Sequence, residues 1–349
     1  MDSFFKITYL NLIFVKYKKY KNMKYFSLIP GGGFNDILSQ IYFSIEYCIK
    51  FKRILLINTV NTDYNINFSD YFTINLPNII YDNTEVQKIL SENCNASSKY
   101  LHQYIEEILK NKIEYIEDIV FYHSCGGRGD NYVLFHFIQL KPILVDYCIE
   151  NYNKIPKPYM AIHIRNKEDL IQDYKSIVYE KNKDLIHSQS AIYLATDDNT
   201  CIDYFRNCRL NVFNFTTFPE GEYYNLHMQN GIDYDLKFKD MISDMCICAL
   251  ANGFISESKG LFTNLCRGLY ENKYILQKQF GLEISLPIII KEPIIFGFLV
   301  EKKIQTVFGN PNIIVTKSIL GLVLNIELGI RELTLQEKNY ENLRRIKKR

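Results

Sequence analysis

His163, Ile164 and Arg165 close the apolar run PYMAIHIR, residues 158 to 165, whose composition is that of a parallel strand buried on both faces. Side chains alternate along a strand, so His163 and Arg165 emerge on the same side, at the end where open α/β sheets bind ligands. The chemistry this pair suits is phosphate binding. A guanidinium is always charged and its planar fork matches phosphate oxygens, so Arg165 can grip a diphosphate and neutralise it as it departs. Taken alone the arginine reads first as half of a structural ion pair, so other segments must decide.

Four further segments offer chemistry at strand exits or helix starts. Gly31-Gly32-Gly33-Phe34-Asn35-Asp36 lies between a strand and a helix, where Gly32 and Gly33 permit close backbone approach and the first helical amides offer donors to an anion. Asn35 tolerates a left-handed backbone best of the non-glycine residues, so we expect it at a tight-turn position with its amide turned to a ligand. A plain turn with Asp36 as helix N-cap explains the segment as well. Asp197 and Asp198 follow the strand IYLAT; one acid can cap the next helix while the other, for which Asp197 is the better candidate, accepts from a ligand. Asp244 sits on a helix, off the main apolar stripe but flanked by Ile247 and Cys248, where a carboxylate needs a donor such as the two adjacent N–H groups of a guanine edge. A salt bridge would serve it too. Ser256 and Ser258 precede a helix and either cap it or bind phosphate, which the sequence does not separate. The glycine-rich loop His123 to Asp130 contains an RGD string and reads as a surface turn.

The elements that must position these residues follow from periodicity. Strand Lys24 to Ile29, the glycine turn, a helix from about Asp36 and strand Arg53 to Ile57 make one βαβ unit, with Ile37, Leu38, Ile41, Tyr42, Ile45, Cys48 and Ile49 spaced by threes and fours. A helical stretch is expected near Lys99 to Lys110 and a helix over Val133 to Asn151, before two prolines, Pro156 and Pro158, stiffen an interdomain hinge. Beyond it come strands 159–165 and 191–196, helix 199–207, strand 210–215, helix 237–251, strand 254–256 and helix 261–272. That alternation predicts a second Rossmann-like domain. We expect an N-terminal extension over 1–22, an α/β domain over 23–155, a second, Rossmann-like domain over 156–285, and a C-terminal segment of open packing over 286–349.

The 349 residues, 47% hydrophobic and 23% charged, bury real cores and argue against disorder. A net charge of +2 gives no basic excess for nucleic acid or an acidic membrane. The apolar run Phe4 to Val15 is short for a transmembrane helix, so a soluble cytoplasmic chain is expected, with that run as the one segment that could act as a signal anchor. Nine cysteines without CxxC spacing give no zinc site and no disulfide framework, and no metal is expected. The missing GxGxxG spacing argues against a dinucleotide oxidoreductase.

Taken in order, GGGFNDILSQ, AIHIRNKEDL, IYLATDD and DMCICALANGFISESKGLFTNLCRGLYE resemble the α1,6-fucosyltransferase and related GDP-fucose transferase group, from about residue 24 to 272. The resemblance implies an α/β, GT-B-like fold of two Rossmann-like domains facing a cleft, with 23–155 on the acceptor side and 156–285 binding the nucleotide sugar. It implies an inverting transfer of fucose from GDP-fucose to a glycan or protein hydroxyl, with no cofactor beyond the donor. Arg165 would then hold the β-phosphate with His163 beside the nucleotide, Asp244 and Asp197 or Asp198 would hold the nucleoside, and Asp173 would be the general base, with Glu168 and Asp169 as rivals. The group usually has a second arginine where this chain has Asn166, and its second loop glycine is Asn35 here. Those departures leave room for a decayed transferase that binds nucleotide or glycan without turnover.

Overall fold

The computed structural model describes residues 23–59, 64–101, 105–125, 131–165, 173–221, 226, 232–258, 260–283, 289–291 and 314–316. Residues 22–283 form one compact unit; 1–21 with 284–349 form another, in which strands 289–291 and 314–316 pair in parallel.

The first unit begins with β1 (Tyr25–Gly31), α1 (Phe34–Phe51) and β2 (Ile54–Ile57), then α2 (Phe68–Tyr71), β3 (Phe72–Ile74), β4 (Ile79–Ile80), α3 (Asn83–Glu92), β5 (Ser98–Leu101), α4 (Ile105–Lys110) and β6 (Ile119–Cys125). The strands order as β4-β2-β1-β6-β5, all parallel. β1 is central, and Phe26 and Leu28 are fully buried. Residues 99–110 are therefore not one helix: Lys99 to Leu101 lie in an edge strand, and the helix begins at Ile105.

A 3-10 helix (Asn131–His136), β7 (Ile138–Leu140) and α5 (Pro142–Asn153) then replace the single helix expected over 133–151. β7 pairs antiparallel with β3, and Pro142 starts α5 where its missing N–H costs nothing.

The second sheet uses β8 (Met160–Ile164), α6 (Tyr174–His187), β9 (Ile192–Thr196), α7 (Asn199–Asn207), β10 (Val212–Phe213), α8 (Tyr234–Leu250), β11 (Gly253–Ile255), α9 (Leu261–Glu271) and α10 (Tyr274–Gln279). Its order is β10-β9-β8-β11, again parallel, with His163 opposite Ala195. Alternation sorts its faces. Met160, Ile162 and Ile164 with Ile192 and Leu194 pack on Val178, Tyr179 and Phe205 of α6 and α7. Ala161, His163, Tyr193 and Ala195 thus turn to the opposite face, where α8 and α9 lie.

α8 is buried nearly all round because it serves both sheets. Phe238 enters a socket of Phe34, Tyr64, Tyr71 and Phe72 from the first sheet's side, while Asn151 of α5 donates to Ser243 at 3.3 Å. α9 meets the 3-10 helix at Gly268, where a Cβ would sit 2.4 Å from the Tyr132 ring, too close for any side chain. Among the described residues no helix is long and apolar enough to cross a membrane.

Candidate active site at the second sheet's strand exits

The β8 exit is tied to the loop after β11. Ser256 Oγ donates to the His163 carbonyl at 2.7 Å, and the Arg165 N–H donates to Ser258 Oγ at 2.9 Å. Ser258 N–H donates back to Ser256 Oγ at 3.2 Å, and Arg267 Nη2 to the Ser256 carbonyl at 3.2 Å. Neither serine caps α9. The cap is Gly260, which brings no side chain to the helix start. Into that space comes Arg165: a Cβ at Gly260 would lie 3.3 Å from both its Cδ and Nη1. A half-buried guanidinium beside an uncapped helix N-terminus places two sources of positive potential together.

His163 lies next to it on the same face, 6% exposed, its Nδ1 2.9 Å from Thr263 Oγ1 of α9. Burial, followed by the nearby Arg165 and Arg267 charges, pushes its pKa down to about 3, so the ring is neutral at any working pH. Asp244, on α8 over this face, accepts from the Tyr193 hydroxyl and, at 2.9 Å, from Thr216 Oγ1. Its donors among the described residues are therefore two hydroxyls, not a charged partner. Burial raises its pKa from 3.8 to about 7 against the pull of those two bonds, with Asp240 one helical turn away adding to the rise. Asp240 takes the Tyr147 hydroxyl at 2.5 Å and the Thr217 N–H at 2.7 Å.

A raised carboxyl pKa carries a sign. Between about pH 4 and 7 the folded chain keeps a proton that the unfolded chain has lost, so the Asp244 contribution to stability is complete below the unfolded pKa and is lost as pH rises through about 7. Asp244→Asn removes that loss. Its new amide N–H pair costs about 1–3 kcal/mol if no acceptor is found, so the net gain over wild type at about pH 8 is of the order of 1 kcal/mol and turns to a deficit near pH 4. Urea unfolding at the two pH values checks this; parallel pH profiles for the two proteins would refute it.

The remaining candidates divide. Asp198 is the N-cap of α7, 4% exposed, accepting from the Thr200 N–H at 3.1 Å, so its carboxylate serves the helix. Asp197 is half-buried at the exit itself. Asp173 is the residue before α6, exposed, 3.0 Å from Lys175 Nζ and accepting from Ser176 Oγ at 2.6 Å. Slight burial pulls its pKa upward, but the bonds from Ser176 and Lys175 outweigh it and leave the carboxylate less basic than usual. Asn166, Glu168 and Asp169 lie outside the described residues, as do 126–130 of the second glycine-rich loop.

On the first sheet the glycine turn differs from expectation. The left-handed residue is Gly32 (φ 85°), whereas Asn35 belongs to the first turn of α1, which starts at Phe34. Asp36 is not the N-cap; it is the third helical residue and accepts from the Gly33 N–H at 3.1 Å. Gln40 clamps Gly31, accepting from its N–H at 3.2 Å and donating to its carbonyl at 2.8 Å. Two of the turn's amides are thus spent inside it. Asn35 is 1% exposed; Asn131 donates to its carbonyl and its Oδ1, and its own Nδ2 has no partner among the described residues.

The β8 exit, Asp244 and the α9 start thus come together on one face of the second sheet, while Gly32, Gly33 and Asn35 belong to the first. Sequence reasoning missed Tyr193, Thr216, Gly260 and Thr263. Strand alternation alone puts Tyr193 on the His163 face; nothing in the sequence singles out the others. Among the described residues no cluster of His, Cys, Asp or Glu could hold a metal.

Two parallel sheets sharing an interposed helix layer define an α/β fold of the GT-B kind. Solved structures bear on it as follows. The α-1,6-fucosyltransferase NodZ co-crystallised with GDP aligns at a TM-score of 0.50 with 15% identity, over 70% of this chain and 92% of that one. NodZ has also been solved as the enzyme from Bradyrhizobium, at 0.48 and 15%, over 70% and 92%. POFUT1 in complex with GDP-fucose aligns at 0.49 with 10% identity, over 70% and 94%. No family model and no curated protein matches the sequence. The likeness to NodZ establishes a fucosyltransferase-like, GT-B-like fold.

Proposed function

We propose that the chain is an inverting glycosyltransferase that takes fucose from GDP-fucose and passes it to a hydroxyl of a glycan or glycoprotein. The observation that carries the reading is the Arg165 guanidinium beside the bare N-terminus of α9, at a strand exit where a departing diphosphate needs positive charge. The NodZ structure that shares this fold was co-crystallised with GDP, which supports a GDP-linked donor.

In the transfer the acceptor oxygen bonds to the sugar's C1 as the C1–O bond to the β-phosphate breaks, and the bonding pair leaves on GDP. Arg165 binds that oxygen more strongly as its charge grows, which is the differential binding that lowers a barrier. Asp173 takes the acceptor proton in this scheme. Held by Lys175 and Ser176 it is a weak base, so the proton moves late, once bonding to an oxocarbenium-like C1 has made the hydroxyl acidic. In this reading Asp197 meets the nucleoside, Asp244 acts from behind the site through Tyr193 and Thr216, and Asp198 contributes through the helix it caps.

Thermal shift with GDP, GDP-fucose, UDP-sugars and NAD tests the donor. A ligand at about 100 times its Kd adds about 2.7 kcal/mol. GDP and GDP-fucose are expected to raise the melting temperature, with fucose released slowly from the latter. A response to NAD alone would end the proposal; GDP binding with no sugar release would make the chain a nucleotide-binding relative without turnover.

A further inference from the structure

Thr263 is fully buried, and its hydroxyl has one hydrogen-bond partner among the described residues, Nδ1 of His163 at 2.9 Å. A hydroxyl has one proton to give. If Nδ1 carried the ring proton, the Thr263 O–H would be left without an acceptor among the described residues in a dry site, an arrangement folded proteins avoid. With Thr263 donating, Nδ1 is the acceptor and the proton of the neutral ring sits on Nε2. Phe262, 5.5 Å from the imidazole, packs beside the ring. Nε2 has no partner among the described residues, and it lies on the same sheet face as Arg165.

We infer that Thr263 is a positioning residue: it fixes His163 as the Nε2–H tautomer, so that the imidazole gives a hydrogen bond to an acceptor atom of the donor nucleotide and never serves as a base. This rests on the donor-nucleotide reading for its ligand, but not for its tautomer. Burial, and after it two cations nearby, keeps the ring from gaining a second proton, so the choice between its nitrogens is the whole of its chemistry.

The test uses the full chain. Long-range 1H–15N spectra, with the His163→Gln variant to assign this residue among six histidines, are expected to show a pyrrole-type Nε2 and a pyridine-type Nδ1. In Thr263→Val the preference for that tautomer is lost and GDP binding, by calorimetry, weakens about tenfold, whereas Thr263→Ser stays within about twofold of wild type. A pyrrole-type Nδ1 in the wild type would overturn the inference whatever the variants do. So would a Thr263→Val protein with unchanged tautomer and affinity. Should the valine variant fail to fold, the wild-type spectrum and the serine variant still decide. A wild type with the expected spectrum that ignores GDP and GDP-fucose overturns the donor reading and the ligand half of the inference, and leaves the tautomer assignment supported.

Discussion

Arg165→Ala is expected to abolish release of fucose from GDP-fucose and to weaken GDP binding at least about tenfold, while the melting temperature stays close to wild type. Each charge-assisted bond from a guanidinium is worth about 1.5–3 kcal/mol, and removing a donor that faces transition-state charge costs about 10²–10³ in kcat. Alanine keeps the backbone N–H that Arg165 donates to Ser258, the bond that joins the end of β8 to the loop after β11. Its side chain lies half-buried over Gly260, with no apolar core to empty. Arg165→Lys separates charge from geometry: an ammonium keeps the field but loses the fork, so it should recover GDP binding better than turnover. Calorimetry with GDP, a fucose-release assay and a melt of each variant provide the three readouts. If Arg165→Ala melts well below the wild type and GDP does not bind to either, the arginine is architectural.

How much of this could be read from the sequence depends on where each segment finds its partners. β8 and β9 were legible because both faces are buried, so their composition alone marks them, and the exit residues His163, Arg165, Asp197 and Asp198 follow. α7 and α9 were legible because each buries a single apolar stripe, which writes a 3.6-residue period. Lys99 to Leu101 was misread because its strand character comes from pairing with β6, about twenty residues away, and not from its own residues. Residues 133–151 look helical throughout, yet Pro142 marks a helix start inside the run, and β7 exists only through its pairing with β3, some 66 residues earlier in the chain. At the glycine turn, Gly32 took the left-handed position, which freed Asn35 to enter the helix. Asp244 was recognised as a carboxylate in need of donors, but its partners come from β9 and the segment after β10, a tertiary fact that helical spacing does not contain.

Phe238→Ala is expected to be the most destabilising single change around the site. The ring is 1% exposed and meets Tyr71 at 4.9 Å, Tyr64 at 5.5 Å, Phe34 at 5.8 Å and Phe72 at 5.9 Å, each with the interplanar angle of an edge-to-face pair. Truncating a buried Phe to Ala costs about 3–5 kcal/mol, and more when the walls cannot close on the cavity. Here they are fixed: Phe34 by the start of α1, Phe72 by the β3–β7 pair, and Tyr71 by its hydroxyl bond to Asp235, which Lys239 also holds at 2.6 Å. The loss of edge-to-face pairs, about 0.5–1.5 kcal/mol each beyond area, pushes the cost to the upper end. At about 2–4 °C per kcal/mol for a unit of this size, the melting temperature falls by about 10–20 °C. Phe238→Leu keeps most of the volume and should cost less than half as much. The consequence reaches function because Phe238 pins the helix that carries Asp240 and Asp244, so GDP affinity should drop in the alanine variant even at temperatures where it is folded. Urea unfolding gives the stability and calorimetry at low temperature gives the affinity. An alanine variant with a wild-type midpoint, or a leucine variant as damaged as the alanine one, would show that the socket does not anchor α8.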